Sequence, residues 1–475
     1  MTKKSRLALA VLIAVGFLLR VWRVGSYPPL LWDEASLGYN AFSILKTGKD
    51  EYGNFLPLIF KSFGDYKPGL YIYLVIPFIK LLGLTELAVR LPGVILGSLT
   101  PLVLFWFVKE VLKKEKLSFF SALALAFLPW HIHFSRGGWE ANAMVFFLVL
   151  GSWLFVKNSS KLFIVHCSLF IFLLALWTYQ GAKMMVPLIL GGLVFFLWPV
   201  LKKQTKVITT LRLPIVMSCV MLLLMGVWFY QSFTGPARNR PKVMSLFSHQ
   251  RPAEEIKSLL AEDNQFEKNF HFFVFHGEWL HYTRCFLTRY FNHFSPRFLA
   301  FEGDWASPRH SAPYFGMIGH LNFLLFLFGL GLFLREKRSR KENLFVYWLL
   351  IAPLPAALSR DIISGVRSLF MVIPLAFFIG YGLNWLLKKQ NKFFFLGIVF
   401  FLILDLAYHQ NLYFEHMVKR RPKDWLYGYK ETIGLVKEKQ DGFEKVVISD
   451  FYGQPYIYYL FYTQYSPEKY QRQAN

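Results

Sequence analysis

The fold is decided by an uncharged apolar stretch, LPGVILGSLTPLVLFWFV at residues 91–108, which ends directly before a basic cluster. A run of this length is about what a helix needs to cross a bilayer. The cluster consists of Lys109, Lys113, Lys114 and Lys116. Basic residues beside an apolar run are typical of the cytoplasmic side of a membrane protein. The stretch therefore predicts a transmembrane helix at about residues 88–111, with its cytoplasmic end at the cluster.

The composition of the whole chain supports a membrane protein. Of its 475 residues 55% are apolar and 17% are charged, against roughly 25% charged in soluble domains. The 51 Phe, 24 Tyr and 14 Trp exceed the apolar surface that a soluble fold could bury, whereas a bilayer accepts such surface. This composition argues against a cytosolic enzyme.

The net charge of +24 is distributed in short clusters between apolar runs. Positive-inside topology explains that spacing better than nucleic-acid binding does, because a nucleic-acid site gathers its basic residues on one soluble face. The three cysteines are too few and too scattered for a disulfide framework or a metal site. We expect no nucleic-acid partner.

Eleven stretches are long enough to cross a membrane, and several are shorter than the roughly 20 residues that a perpendicular helix prefers. They are residues 7–24, 88–111, 118–134, 141–156, 161–177, 184–201, 211–231, 313–334, 344–358, 366–387 and 393–409. The first resembles a signal peptide, but it carries Arg20 and Arg23 at its far end and no cleavage site follows, so we interpret it as an uncleaved helix.

A further apolar stretch at residues 70–83 has only 14 residues, interrupted by Pro77 and Lys80. Counting it as a crossing would invert the predicted membrane orientation of every later helix and loop. If it does not cross, the cytoplasmic segments hold 21 Lys and Arg, whereas the short outer loops hold Arg136, Lys183 and Arg360. The charge pattern thus favours a helix that lies in the outer interface or re-enters it.

This topology divides the chain into a transmembrane domain at residues 1–409, with outer loops 25–87 and 232–312, and an outer tail at residues 410–475. In the tail we expect an amphipathic helix at residues 425–439 and a strand at residues 446–450. These would begin a small α/β unit that stops early, so we expect a missing C-terminal portion, although a natural short ending also fits.

Two adjacent carboxylates, Asp33 and Glu34, follow the first helix and Trp32 at the outer membrane face. Partial burial there makes a charged carboxylate costly without a partner, as in many functional sites. The structural alternative is that Asp33 caps a helix over residues 34–45, with Glu34 in the first turn. The two interpretations are compatible, because a cap also fixes the direction of a carboxylate.

The next candidates precede the interfacial helix, where Asp65 and Lys67 stand two residues apart and Tyr71 follows. A lysine at headgroup depth suits a lipid phosphate. The alternative is that Lys67 merely extends its ammonium to water at a helix start.

A short outer turn between two spans holds Arg136 and Glu140. Two charges in so short a turn predict either a mutual pair or an inward-facing polar site. His131 and His133 stand two residues apart and do not share a helix face, so zinc is not expected there. A divalent metal is possible elsewhere but is not indicated.

Further charged residues stand where other outer segments meet the membrane. Among them, we expect Arg309, His310 and Arg367 to bind substrate. Together these groups place acids and bases on one side of the membrane. The cations could hold a lipid phosphate, and a neighbouring carboxylate could take a proton from an acceptor hydroxyl. A sugar transferase with a lipid-linked donor requires this combination. Without a Gly-rich phosphate loop, a cytosolic nucleotide donor is not indicated.

Three motifs resemble those of a known family in order and spacing: Trp32-Asp33-Glu34, then Lys67-Pro68-Gly69-Leu70-Tyr71, then Arg90-Leu91-Pro92. The chain resembles the bacterial GT-C glycosyltransferases of the group that comprises family 39, the protein O-mannosyltransferases and the lipid A aminoarabinose transferases. The resemblance is clearest over about residues 15–180, and the topology agrees more weakly to about residue 409.

The resemblance implies a GT-C-like bundle of about 11 transmembrane helices, with interfacial helices in the first outer loop. It implies an inverting enzyme of the bacterial inner membrane that transfers a sugar from a polyprenyl-phosphate carrier on the outer side. Asp33 matches the family's catalytic carboxylate, Glu34 its neighbour, and Lys67 the lysine near the carrier phosphate. Gly69 departs from the pattern, because a second proline is usual there.

Two other functions stay open. A transporter or flippase of lipid-linked sugars would favour charges near the midplane and inverted repeats, whereas here the charges gather at the outer helix ends and no repeat is visible. An enzyme that transfers a lipid-linked oligosaccharide would often carry a larger outer domain. The sugar is not determined, and neither is the acceptor, which could be a protein, a lipid or a glycan.

Overall fold

The computed structural model describes residues 2–157, 162–204, 219, 222–223, 225–226, 230, 243–248, 251–265 and 267–474. The first half of the described chain contains α1 (Lys3–Val21), α2 (Trp32–Thr47), β1 (Ile59–Ser62), β2 (Asp65–Pro68), α3 (Leu70–Leu82), α4 (Glu86–Leu112), α5 (Glu115–Phe127), α6 (Pro129–Ser135), α7 (Glu140–Lys157), α8 (Leu162–Leu176) and α9 (Ala182–Gln204).

The second half contains α10 (Ala253–Glu262), α11 (Phe270–Phe275), α12 (Glu278–Asn292), α13 (His320–Arg335), α14 (Asn343–Ile351), α15 (Leu354–Ala357), α16 (Val372–Lys389), α17 (Lys392–Asn411), α18 (Met417–Arg420), α19 (Tyr429–Lys439), α20 (Pro455–Thr463) and α21 (Pro467–Gln473). Short 3₁₀ turns lie at Leu246–Ser248, Pro308–His310, Leu369–Met371 and Gln440–Gly442, and π turns at Arg297–Phe301 and Leu412–His416.

Helices occupy the predicted spans that fall in the described part of the chain. Four helical stretches there are long and apolar enough to cross a membrane: Glu86–Leu112, Glu140–Lys157, Leu369–Lys389 and Lys392–Arg420. The pair α5 and α6 adds a fifth span if its 59° bend is counted within one crossing. Shorter apolar helices occupy most of the other spans. The predicted span 211–231 lies almost wholly outside the described residues, and the total of 11 stays a prediction.

Two predicted spans are shorter than expected. The span predicted at residues 313–334 becomes helical only at His320, and the one predicted at 344–358 is broken between α14 and α15. The N–H groups of residues 316–319 donate to carbonyls of residues 298–300 and so form no helical hydrogen bonds. Gly316 allows this close approach, since a Cβ there would lie 2.3 Å from the backbone of Ala300. The segment before His320 therefore packs as an irregular chain against residues 297–301, to which it hydrogen-bonds.

The stretch predicted as an interfacial helix forms α3, a continuous helix that includes Pro77. A two-stranded antiparallel hairpin precedes it, with Ile59 opposite Pro68 and Ser62 opposite Asp65. This hairpin was not predicted from the sequence. It connects α2 to α3 on the outer side of the predicted topology.

The described tail is helical, and the strand predicted at residues 446–450 was wrong. Residues 445–450 have no regular secondary structure, and Val447 is 80% exposed. A strand needs a neighbour for its backbone hydrogen bonds, and the described part of the tail offers none. Instead α20 packs on α2, and the Tyr458 hydroxyl donates to the carbonyl of Leu30 at 2.9 Å. The amphipathic run forms α19, which begins at Tyr429 rather than at residue 425.

Candidate active site

Asp33 lies in the first turn of α2, but it does not cap the helix. The helix begins at Trp32 and its N-cap is Leu31, so the predicted cap at Asp33 was wrong. Glu34, the third residue of the helix, instead binds back to the N-cap, since one of its carboxylate oxygens accepts a hydrogen bond from the Leu31 N–H at 3.1 Å. The carboxylate of Asp33 is therefore available for contacts outside its own helix.

The Asp33 carboxylate is held by two side chains. The Lys67 ammonium contacts Oδ1, and the indole N–H of Trp32 donates to Oδ2 at 3.1 Å. Both partners of the ion pair are accessible, since the side chain of Asp33 is 30% exposed and that of Lys67 is 17% exposed. A partly exposed acid beside a partly exposed ammonium can meet a ligand without breaking the fold.

A second cation lies near this pair. The Arg309 guanidinium stands 5.9 Å from the centre of the Trp32 ring, and its charge also acts on Asp33. Burial raises the pKa of the Asp33 carboxyl, but the Lys67 charge, the Lys67 hydrogen bond, the Arg309 charge and the Trp32 hydrogen bond together lower it below its ordinary value. Asp33 is thus a carboxylate at neutral pH.

The β-hairpin positions Lys67. Lys67 lies on β2 opposite Phe60, and the Gly69 N–H donates to the carbonyl of Leu58 at 3.0 Å. A Cβ at position 69 would lie 2.3 Å from the Phe60 ring. The glycine that departs from the family pattern therefore allows the hairpin to close tightly against the start of α3. In the same strand, Asp65 accepts a hydrogen bond from the Tyr66 N–H at 2.7 Å.

Glu34 is held very differently from Asp33. Arg90 binds both of its oxygens, with two N–O distances of 2.7 Å, and the Gly138 N–H donates to it at 2.8 Å. The Arg90 side chain is 0% exposed and that of Glu34 is 5% exposed. With the Leu31 N–H, four donors occupy this carboxylate. Such an arrangement suits a structural role more than proton transfer.

Arg90 also binds the chain that leads into α2. Its terminal nitrogens donate to the backbone carbonyls of Val24, Pro28 and Pro29 at 2.8, 2.9 and 3.1 Å. From the sequence, Arg90 was recognisable only as part of a motif, without a predicted role. Its place near the start of an apolar span was the signal that could have predicted this role, because an arginine there usually pairs with a buried acid or with backbone carbonyls.

Tyr71 supports the packing of α3 on α4. Its hydroxyl donates to the carbonyl of Val89 at 3.2 Å and accepts from the Gly93 N–H at 3.1 Å. It therefore bridges two backbone groups that are one helical turn apart, a type of insertion that can bend a helix. Tyr71 is fully buried, and these contacts lie within α4 rather than at Asp33.

Arg136 and Glu140 serve two helix ends. The buried Arg136 donates to the carbonyls of Leu19 and Arg20 at 2.9 and 3.1 Å, which satisfies the C-terminal end of α1. Its guanidinium also lies 4.9 Å from the ring centre of Phe414. Glu140 is the first residue of α7, where a carboxylate favours the helix dipole.

His310 belongs to a buried pair with Asp304. His310 Nδ1 lies 2.7 Å from Oδ2 of Asp304, and the same oxygen accepts from the Gly365 N–H at 2.7 Å. Burial raises the pKa of Asp304, but the His310 charge and hydrogen bond, with backbone N–H donors, lower it below the ordinary value. The pair fixes the turn at Pro308–His310 and so the position of Arg309.

Arg367 pairs with Asp361 and donates to the Ser359 hydroxyl at 3.2 Å. Its charge acts on His310. The structure therefore brings three predicted residues together, Asp33, Lys67 and Arg309. The hydrogen bonds of Glu34, Tyr71 and Arg136 instead hold the surrounding helices. No group of three or more His, Cys, Asp or Glu that could hold a metal occurs among the described residues.

These features define a class: an α-helical membrane fold with an accessible acid and two cations at the start of its second helix. Two solved structures share this fold. ArnT from Cupriavidus metallidurans bound to undecaprenyl phosphate has a TM-score of 0.55 and 13% identity, covering 98% of this chain and 88% of ArnT. AglB, an oligosaccharyltransferase from Archaeoglobus fulgidus in complex with an inhibitory peptide and a dolichol-phosphate, has a TM-score of 0.50 and 12% identity.

The AglB similarity covers 94% of this chain and 60% of AglB. No protein-family profile and no curated protein matches the chain. The similarity to ArnT shows that this chain shares the fold of that structure. The α-helical polytopic membrane fold predicted from the sequence is thereby confirmed.

Proposed function

We propose that this protein is a membrane glycosyltransferase that transfers a sugar from a polyprenyl-phosphate-linked donor to an acceptor on the outer side of the membrane. The observation that carries the proposal is the accessible Asp33 carboxylate in contact with Lys67 and close to Arg309. A carboxylate can accept the proton of a hydroxyl, and two cations can bind a phosphate. The two fold relatives were solved with a prenyl phosphate bound.

In the proposed reaction, Asp33 accepts the proton of the acceptor hydroxyl while the acceptor oxygen forms a bond to the anomeric carbon. The bond between that carbon and the phosphate oxygen breaks, and its electron pair leaves with the polyprenyl phosphate. Direct displacement inverts the anomeric carbon. Lys67 and Arg309 stabilise the charge of the leaving phosphate.

The ion pair also suggests how Asp33 becomes a stronger base. A donor phosphate competes with Asp33 for the Lys67 ammonium. When Lys67 turns to the phosphate, the pKa of Asp33 rises, because the nearest positive charge that lowers it has moved away. Asp33 is then better matched to removing a proton from a hydroxyl.

We place the enzyme in the bacterial inner membrane as a multi-pass protein, with Asp33 facing outward. The basic clusters at the opposite helix ends, such as Lys109 to Lys116, support this orientation. The acceptor is a protein, a lipid or a glycan.

The test uses purified protein in vesicles made from bacterial membrane extract, which brings candidate acceptors, and supplied with a polyprenyl-phosphate sugar; release of polyprenyl phosphate is the readout. Asp33→Asn should abolish release while membrane insertion and yield stay normal. Asp441→Asn, at an exposed position in the tail, is the matched control and should keep full activity. Full activity of Asp33→Asn would refute the base assignment. Movement of intact donor across the bilayer without release would instead indicate a transporter.

A further inference from the structure

A large cavity lies between α1 and α4, away from Asp33. Its volume is about 990 Å³. Apolar side chains from the two helices form most of its lining, among them Leu9, Ile13 and Phe17 from α1 and Ile95, Leu99 and Leu102 from α4. Several of the α1 residues along it are exposed in the structure. The cavity is therefore an open apolar groove on the side of the bundle.

The length of the groove matches one leaflet of a bilayer. Its lining runs from Arg6 to Phe17 along α1 and from Ile95 to Lys109 along α4. At about 1.5 Å per residue these runs are about 16 and 21 Å long. The hydrocarbon of one leaflet is about 15 Å thick, half of the roughly 30 Å core. A single acyl chain that enters from one leaflet fits this length.

The groove has cations at one end only. Arg6 and Lys109 line it there, at the N-terminal end of α1 and the C-terminal end of α4. Arg6 is exposed, and Lys109 lies 2.9 Å from Glu115 with 26% of its side chain exposed. The other end of the groove is apolar apart from Ser98. A ligand with an anionic head and an apolar tail complements this distribution.

We propose that the groove between α1 and α4 binds one anionic glycerophospholipid of the cytoplasmic leaflet. Its phosphate lies between Arg6 and Lys109, and an acyl chain follows the apolar lining toward Phe17. Asp33 lies near the opposite, N-terminal end of α4, where Arg90 binds the neighbouring Glu34. The lipid site is thus separate from the proposed donor site. Its assignment to the cytoplasmic leaflet rests on the proposed membrane orientation, but not on the proposed reaction.

Bound lipid would hold α1 against the bundle along its cytoplasmic half. The outer half already has polar anchors, since Arg20 donates to the carbonyl of Ala126 at 3.0 Å and Arg136 binds the last carbonyls of α1. The cytoplasmic half contacts the bundle through the small apolar cluster of Leu9, Leu12 and the facing residues of α4 and α5, with Ser5 beside Glu115 as its polar contact. Lipid removal should therefore loosen the N-terminal part of α1 first.

The first experiment is native mass spectrometry of the full chain, delipidated in detergent and titrated with phosphatidylglycerol or with phosphatidylethanolamine. We expect one tightly retained phosphatidylglycerol and at least tenfold weaker binding of phosphatidylethanolamine. Arg6→Gln with Lys109→Gln should remove that preference. Lys113→Gln is the matched control, because Lys113 belongs to the same basic cluster but does not line the groove. Equal binding of the two lipids by the unaltered protein would overturn the proposal.

A second pair of variants tests the groove without changing charge. Ala10→Phe fills the lining and should reduce phosphatidylglycerol retention at least tenfold, whereas Ala8→Phe, at an exposed position outside the lining, should not. Unchanged retention in Ala10→Phe would overturn the proposal, since the lipid would then bind by charge alone. The readings from the unaltered protein decide the question even if a variant fails to fold.

Discussion

Two ion pairs at the start of α2 involve adjacent carboxylates and differ in almost every physical respect. Asp33 and Lys67 are partly exposed, and the two residues come from a helix and a hairpin strand. Glu34 and Arg90 are buried, and four N–H donors satisfy the Glu34 carboxylate. The difference teaches that adjacency in sequence does not imply a shared role. The accessible pair can exchange partners with a ligand, and the buried pair fixes the frame around it.

The largest expected effect comes from breaking the buried pair. Arg90→Met leaves the Glu34 carboxylate buried without its cation, which typically costs about 3–5 kcal/mol. We expect a strongly lowered thermal unfolding temperature in detergent, together with lost transfer activity. Arg90→Met combined with Glu34→Leu should recover part of the stability, because no charge stays buried. A single variant as stable as the unaltered protein would contradict the structural role.

The next effect comes from the accessible pair. Lys67→Gln should lower the unfolding temperature less than Arg90→Met does, because the Asp33–Lys67 pair keeps some contact with water and the glutamine amide can still donate to the carboxylate. Transfer activity should fall at least tenfold, because the phosphate loses a charged contact. Measuring release of polyprenyl phosphate alongside thermal unfolding separates the effect on activity from the effect on stability. Large destabilisation with unchanged activity per folded molecule would reverse the comparison between the pairs.

The same variant should change the pH dependence of transfer. Lys67 and Arg309 lower the pKa of Asp33. In the unaltered free enzyme Asp33 therefore stays ionised down to the ordinary pKa of a carboxyl group and becomes protonated only below it. Without Lys67 the pKa rises, and the acid limb of kcat/KM moves to higher pH. An acid limb at the same pH in both proteins would show that Lys67 does not control the base.

A smaller effect is expected at Trp32. Trp32→Phe removes the indole N–H that donates to Asp33 and keeps an aromatic ring. A hydrogen bond to a charged group contributes about 1.5–3 kcal/mol. The loss should be smaller here, because the Asp33 carboxylate keeps its contact with Lys67. We expect a few-fold loss of kcat with little change in stability. A loss as large as that of Asp33→Asn would place Trp32 among the residues essential for the reaction.

The smallest effect should come from a fully exposed pair. Glu415 and Lys419 stand 3.2 Å apart with 53% and 74% of their side chains exposed. Glu415→Gln should change neither transfer nor the unfolding temperature measurably, because exposed pairs four residues apart contribute only about 0.3–0.5 kcal/mol. The variant calibrates the stability measurements on the two α2 pairs.

Much of the fold was predictable because apolar runs and basic clusters report on the bilayer directly. The positions of α4 and α7, and of α3 as a helix, followed from hydropathy and charge. The strand expected at residues 446–450 was wrong, since a short alternating run becomes a strand only where a neighbour can pair with it. The early start of α2 was also missed, because Glu34 closes its first turn through a contact that a residue pattern does not reveal.

The sequence by itself determined the membrane class, the helical spans and the choice of Asp33, Glu34 and Lys67 as candidates. These depend on composition and on short motifs, which are local properties of the chain. Only the tertiary structure assigned partners: Lys67 to Asp33, Arg90 to Glu34, and Arg309 to the same site from a distant loop. Partner choice depends on which segments meet in space and on how much water each carboxylate keeps, and neither is encoded by spacing along the chain.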